Sequence, residues 1–553
     1  MTAASTELTR VAPVSHIYGL GSIYGKTIRD SRLAFIIVAG LLGGLALVMG
    51  AAISSVFPTP ASRLEVDKLI GGMPAQMVDF FGKPEKLGTL GGYVTWKYGL
   101  TFVLVTSLWS ILALSSTLAG EASRGSLDLV AVAPFGKRRI ALEKLAAHLT
   151  MLGLALAVMA ILLSVSSNVF GDPALGDPIP PLSAFGFALW LGLNALFFGG
   201  LAFALAPILG RAGAAGIAGI ALAVLWTANG LQALGPLAVL SPFHWTANHV
   251  ALVGEYDWPG LALVGVVAAA FLAIGVEAFT RRDLGVTAGL GLPQLPGAVL
   301  GVRGPISRAF GDQLPRALSW GFGLFVMGAV LASLVGEMSA QIAGDPNLLQ
   351  VFRTAFPDFD LTSAGGFLQL FVELFYIAAG FAAATLVSKW ASDETDGRLE
   401  EVLATPLTRA RWVVAGGIAA LAADIVITGL FALGVGFGAS SGGVAAGSAM
   451  IGSVSLGLYA AALIGIGFAI GGLWRTSLAA EIVALLVIAT YLIDLLAPPL
   501  KLPDWVHELA LTAHMGQPMV GIWDWTGILA CIVLAVGGVA IASWGIARRD
   551  VSR

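Results

Sequence analysis

Charge is what this chain has least of. Asp, Glu, Lys and Arg make up 11% of its 553 residues, while 57% are hydrophobic. A soluble domain carries about 25% charged residues, so a soluble globular fold is excluded. Cysteine is nearly absent: Cys531 stands alone, which rules out an intrachain disulfide and any C-x-x-C metal or redox motif. The six histidines are scattered, with no His-x-x-x-His pair. No His/Asp/Glu group has metal or catalytic spacing, which argues against a membrane enzyme. A net charge of −3 gives nucleic acid no electrostatic footprint. The phosphate loop G-x-x-x-x-G-K-[ST] is missing as well. Its nearest approach, Gly19 to Thr27, has Leu20 where the first glycine belongs, and no apolar strand precedes it. Ser440 to Val444 is a faint match to an ATPase signature in a short loop between spans, and is discarded on that ground.

What is present is a succession of apolar runs long enough to cross a bilayer. They predict an all-α integral membrane protein with about twelve transmembrane helices. The first six are Leu33–Phe57, Tyr98–Gly120, Leu145–Phe170, Leu182–Leu209, Ala212–Leu237 and Gly260–Thr280. The second six are Ser319–Ile342, Gly365–Lys389, Trp412–Gly438, Ala446–Leu473, Ser477–Leu496 and Trp525–Ala547. The expected organisation is an N-terminal amphipathic elbow (1–32), a first half (33–283), a linker (284–317) and a second half (318–553). The elbow places Ile23, Thr27 and Ile28 on one face and Lys26, Arg29 and Arg32 toward headgroups. Both halves close alike, Phe279 to Leu284 and Ile546 to Val551, and both set one arginine between their fourth and fifth spans, Arg211 and Arg475. Most of the 30 Lys and Arg fall on the side of the two termini, which predicts cytoplasmic termini. Ser241 to Thr246 reads as re-entrant or interfacial.

One charged segment is written twice. Glu121 to Arg139 and Asp393 to Arg411 share Gly125/Gly397, Leu127/Leu399, Val130/Val402, Pro134/Pro406 and Arg139/Arg411. Glu121/Asp393 and Asp128/Glu400 keep their acidity. Leu127, Val130 and Ala131 form a narrow apolar stripe, repeated by Leu399, Val402 and Leu403. Acid at the start (Glu121; Asp393, Glu394), base after the end and a terminating proline predict a short amphipathic helix at the cytoplasmic surface. Each copy follows the second span of its half. Three landmarks in one order predict two parallel six-span repeats.

This pattern resembles the permeases of ABC-2-type exporters, whose hallmark is an acid, then Gly-x-Leu-[Asp/Glu], then Pro and Arg, between the second and third spans. The fused twelve-span layout is similar to actinobacterial tetronasin-type, polyketide-antibiotic and multidrug exporters. The resemblance spans both halves. It implies that Glu121, Gly125, Leu127, Asp128, Pro134 and Arg139, with Asp393, Gly397, Leu399, Glu400, Pro406 and Arg411, form two coupling helices seated on a separate ATPase. It further implies two copies of that ATPase subunit, which bind the ATP and Mg, no cofactor in this chain, a plasma-membrane location, and export of hydrophobic or amphipathic compounds.

In this family the second and third spans of each half, with the fifth, surround the substrate path. Aromatics occupy those positions here: Trp96, Tyr98, Phe102 and Trp109 in the second span, and Phe367, Phe371, Phe375, Tyr376 and Phe381 in the eighth. Phe367, Phe371 and Phe375 share one helical face, a broad surface suited to apolar cargo or to helix packing. Glu373 and Asp424 are deep carboxyls with no sequence-adjacent cation, and Glu481 and Asp494 lie nearer span ends. They are candidates for contact with a cationic or polyether-like cargo, or are neutral groups bonded to a neighbouring helix. They also keep open an alternative class, an ion-coupled secondary transporter working through Glu373 and Asp424.

Overall fold

The computed structural model describes residues 22–56, 59–61, 63–64, 85–118, 136–230, 235–281, 304–344, 346, 349, 363–395, 397–441, 445–500 and 503–548. Among these, eleven helices are long and apolar enough to cross a membrane. The protein is an all-α integral membrane protein whose only described strands are the pair Gly516–Gln517 and Ile522–Trp523. Long helices expose apolar side chains in stripes, which suits lipid as the solvent. Leu529, Ile532, Val533 and Val536 stand open on one face of a single helix.

The chain folds as two compact units. The first contains α1 (Ile23–Val56), α2 (Gly99–Thr117), α3 (Lys137–Phe170), most of α4 (Pro181–Gly230) and α5 (Trp258–Thr280). The expected elbow has no break of its own, because α1 runs unbroken from Ile23 into the first span. α1 lies along α3, where a Cβ on Gly43 would come 2.6 Å from Leu162 Cδ1 and where Ser166 Oγ donates to Leu47 O at 2.6 Å. The helical ladder of α4 is interrupted at Gly210, whose φ of 71° and ψ of 176° lie outside the helical range. That break separates the expected fourth and fifth spans, and the helix continues beyond it to Gly230. The segment expected to be re-entrant forms the turn Pro242–Trp245, packed on α4 by the stacking of Phe243 on Phe198 and by Trp190 Nε1 donating to Thr246 Oγ1 at 2.9 Å.

The second unit contains α6 (Pro305–Gly344), α7 (Ala364–Leu370), α8 (Val372–Thr395), α9 (Leu399–Leu403), α10 (Arg409–Ser441), α11 (Gly447–Gly452), α12 (Val454–Leu473), α13 (Thr476–Leu500) and α14 (Trp525–Ile546). Three expectations change here. The linker was expected to reach 317, but α6 already starts at Pro305, since proline is tolerated in a first turn. The eighth span is broken at Phe371 (φ −102°, ψ 3°), so Phe367, Phe371 and Phe375 do not share one continuous helical face. Asp393 and Glu394 close α8 instead of opening the repeated helix.

Both units carry a device that the span reading passed over. Val253 to Trp258 and Val520 to Trp525 both read Val-Gly-x-[Tyr/Trp]-Asp-Trp. In each, the glycine is left-handed (Gly254 φ 88°, Gly521 φ 86°) after a short 3-10 turn, as a turn with no Cβ permits. Each aspartate then caps the last helix of its unit. Asp257 accepts from Gly260 N at 2.9 Å, and Asp524 accepts from Thr526 N at 2.9 Å.

In the first unit, Arg63 and Asp177 form a two-pronged ion pair beyond the span ends. Both are buried, with Nη2 donating to Oδ2 at 2.9 Å and Nη1 to Oδ1. Burial alone pushes the Asp177 carboxyl up, but Arg63 and the N–H groups of Asp172 and Leu90 outweigh it and hold it below the usual carboxylate range. A carboxyl depressed in the folded state stabilises above its unfolded pKa and loses that contribution as pH falls through its folded value. Asp177→Asn is therefore expected to cost about 3–5 kcal/mol, since it strands a buried guanidinium. It should also flatten the acid limb of the thermal-unfolding midpoint against pH in the purified protein.

Candidate functional site

The repeated segment of the second half lies between α8 and α10. α8 ends at Thr395, and Gly397 turns the chain with φ 74°, its N–H donating to Glu394 O at 3.1 Å. That left-handed residue ends one helix and aims the next. The following helix, α9, is one short turn. Leu399 and Val402 are buried, while Glu400 and Glu401 are exposed in its first turn, where the helix dipole favours acid. Thr405 Oγ1 donates back to Val402 O at 2.6 Å, and Pro406 and Arg411 stand exposed beyond it. Thr408 Oγ accepts from Arg411 N at 3.3 Å and opens α10.

This lever is fastened to its unit by three ties, and the repeat's acids supply two of them. Asp393 Oδ2 accepts from the indole N–H of Trp412 at 3.1 Å, joining α8 to α10. Glu394 Oε2 accepts from Thr476 Oγ1 at 2.8 Å, joining α8 to the start of α13. The third tie is a stack of three rings. Trp390 lies 4.0 Å from Phe468 and 5.1 Å from Trp412, centroid to centroid, with interplanar angles of 19° and 27°. Gly416 and Gly471 make room for it, for a Cβ on either would come within 2.6 Å of the Trp390 ring. Trp390, Trp412, Phe468 and Thr476 were not singled out from sequence. Their signal was Trp390 standing three residues before Asp393 and Trp412 directly after Arg411.

In the first copy, Glu121, Gly125, Leu127, Asp128 and Pro134 lie outside the described residues. Arg139 is described. Its Nε donates to Glu143 Oε1 at 2.7 Å, and Glu143 Oε2 accepts from Tyr24 N at 3.1 Å, which fastens the start of α3 to α1. Leu118 and Ile140 flank the first copy as Trp390 and Trp412 flank the second, and both belong to one buried cluster with Ile23 and Phe203. The first half thus packs aliphatic groups where the second stacks rings.

The proposed path residues are placed as follows. Phe102 is buried edge-on to Phe187, and Trp109 lies edge-on to His148, which shares a 2.8 Å hydrogen bond with Ser110. Phe367 packs on half-buried Phe371, and Phe375 on Phe431 of α10. Glu373 is in α8, with its side chain outside the described set. Asp424 is buried in α10 without a hydrogen bond or ion pair among the described residues. Asp494 is tied down, accepting from Thr512 Oγ1 and lying 3.6 Å from His507 Nε2. Among the described residues no group of three His, Cys, Asp or Glu side chains is placed to hold a metal.

Eleven long apolar helices among the described residues define a multi-pass helical membrane protein. Residues 302–546, which hold every part of the second unit's lever, match the family model described as the C-terminal domain of the multidrug efflux system permease Rv1217c. Across 99% of its length the chain is 27% identical to the multidrug efflux system permease protein Rv1217c of Mycobacterium tuberculosis (strain ATCC 25618 / H37Rv), covering 100% of that protein.

Two substitutions test the fastening. Trp390→Ala removes the middle ring of a buried stack and is expected to cost about 3–5 kcal/mol, with Trp390→Phe costing less. Gly397→Ala meets no neighbour, yet it is expected to cost about 1–2 kcal/mol because a Cβ disfavours left-handed backbone. Thermal unfolding of the purified variants checks both.

Proposed function

We propose that this chain is the permease of an ATP-driven exporter of hydrophobic or amphipathic compounds. Two copies of a separate ATPase subunit would dock at Glu121–Arg139 and Asp393–Arg411. The observation that supports this reading most directly is the division of labour in α9. Its apolar side is buried against its own unit and its acidic side is exposed, while three ties fix the helices on either side of it, α8 and α10. A helix loaded from outside transmits displacement only if it cannot slide, and these ties supply that condition.

In this reading ATP and Mg are bound by the partner subunits, and this chain contributes no nucleotide-binding residue. The two copies of the lever mark two parallel repeats, and the shared Val-Gly-x-[Tyr/Trp]-Asp-Trp turn at the opposite end of each last span supports the same duplication. In this reading both termini and both copies of the segment face the cytoplasm of a cell membrane, which the Lys and Arg distribution supports. The drug class comes from the relative's name, a multidrug efflux permease, and agrees with aromatic-rich second and eighth spans.

Two measurements test this reading. Glu400→Lys together with Glu401→Lys reverses the exposed charge of α9 without touching its buried side. It is expected to lower substrate-stimulated ATP hydrolysis by the assembled transporter at least about tenfold while the permease stays folded. Unchanged stimulation would remove the lever from the mechanism. Asp424→Asn separates the ion-coupled alternative, because ATP-driven export tolerates loss of that titratable group. Transport that vanishes with it, and that follows an ion gradient without ATP, would favour the secondary transporter.

A further inference from the structure

Beside the lever, a cavity of about 450 Å³ opens between the first turns of α6, the end of α8 and the start of α10. That volume falls within the range of small-molecule sites, about 300–1,000 Å³. Its charged lining is symmetrical: Arg308 and Asp312 from α6, Lys389 and Asp393 from α8. Both pairs have the i, i+4 spacing that closes into ion pairs elsewhere in this chain, as in Lys26–Asp30 (3.1 Å), Arg139–Glu143 and Glu277–Arg281 (both 2.7 Å). Among the described residues neither pair beside the cavity closes, so two cations and two carboxylates line it without neutralising each other in place.

Deeper in, two polar side chains are built for a ligand. Gln313 is 2% exposed and donates through Nε2 to Leu386 O at 2.9 Å. Its Oε1 has no partner among the described residues, and neither has the indole N–H of Trp390, a residue 4% exposed. One orphan acceptor and one orphan donor in a single buried lining are unfavourable unless something supplies their complements. The site also has a definite depth. α6 and α8 pass here from their charged ends into their apolar stretches, the depth at which lipid headgroups are expected. Farther along α6, Leu318 and Phe322 are exposed, as a surface for acyl chains requires.

We propose that this cavity binds a phosphoammonium zwitterion, the chemistry of an ethanolamine phospholipid headgroup. Arg308 and Lys389 take the phosphate, Asp312 and Asp393 take the ammonium, and the Gln313 carbonyl and Trp390 indole complete the set. A lining of balanced charge disfavours a purely anionic headgroup, which would meet both carboxylates unpaired. The proposal goes beyond the exporter reading. It is measured on the permease alone, so its failure is distinct from a failure of ATPase coupling.

The test uses the full chain, purified and delipidated, and titrated with phosphatidylethanolamine, phosphatidylglycerol and soluble phosphoethanolamine. Binding is read by native mass spectrometry and by the thermal-unfolding midpoint. Phosphatidylethanolamine is expected to be retained about tenfold better than phosphatidylglycerol, and Asp312→Ala and Lys389→Ala each to cut that retention about tenfold. Asp312→Glu, which keeps the carboxylate, is expected to restore binding and so to separate loss of ligand from loss of fold. A midpoint raised by phosphoethanolamine alone identifies the ligand as a free zwitterion. A rise that needs the acyl chains identifies it as a lipid headgroup. No preference for the ethanolamine lipid, or equal retention by Asp312→Ala, Lys389→Ala and the unaltered chain, overturns the proposal.

Discussion

Two helices in a bilayer gain little by hiding apolar surface from each other, because lipid is as apolar as their side chains. What holds them is how closely their backbones approach. The second unit is built on that constraint. Gly465 and Gly472 of α12 meet Gly538 and Gly545 of α14 at matched heptad spacing, and a Cβ on Gly538 would lie 2.1 Å from Gly465 O. The same device joins α6 to α10, where a Cβ on Gly438 would lie 2.0 Å from Ala329 O. Neither seam can widen or slide by a fraction of an ångström without losing contacts along its whole length. The glycines are thus the source of stiffness in this unit.

The repeated segment of the second half is seated on this unit. α9 is only one turn long and could not hold its own shape. Its orientation is set by Gly397 before it and by Leu399 and Val402 beneath it, and the Trp412–Trp390–Phe468 stack fixes the helices on either side. Phe468 stands on α12 between the seam glycines Gly465 and Gly472. The three rings join α8 and α10, the helices on either side of α9, to α12, and α12 meets α14 backbone against backbone. Soft aliphatic side chains change rotamer under load, whereas stacked rings pinned between Gly416 and Gly471 have few alternatives.

The spans were legible because lipid imposes a length and an apolar composition that water does not. The break near Arg211 was legible too, for a glycine next to a lone charge between two apolar runs leaves few other readings. The break at Phe371 was not, because an apolar run carries no mark where the helical ladder is interrupted. The extent of α9 was misread for a related reason. Acid before a glycine fits a helix start and a helix end equally well, and only the left-handed backbone of Gly397 decides for the end of α8. The ring stack could not be found, since its members come from three helices far apart in sequence. The Val-Gly-x-[Tyr/Trp]-Asp-Trp turn was present in plain letters, but attention to apolar runs passed over the polar joints between them.

The two copies of the repeated segment keep an acid at Glu121 and Asp393, which invites the view that this carboxylate meets a partner. In the second copy it does not face outward. It accepts the Trp412 indole N–H through Oδ2, and its neighbour Glu394 accepts from Thr476, so both help to hold α8 in place. The exposed carboxylates of the segment are Glu400 and Glu401, and the first copy has Asp128 at the place of Glu400. Where Trp412 stands, the first copy has Ile140, which has no side-chain donor, and where Trp390 stands it has Leu118. An acid at this position is thus common to both sequences, while the residues of the ring stack and indole hydrogen bond occur in the second only.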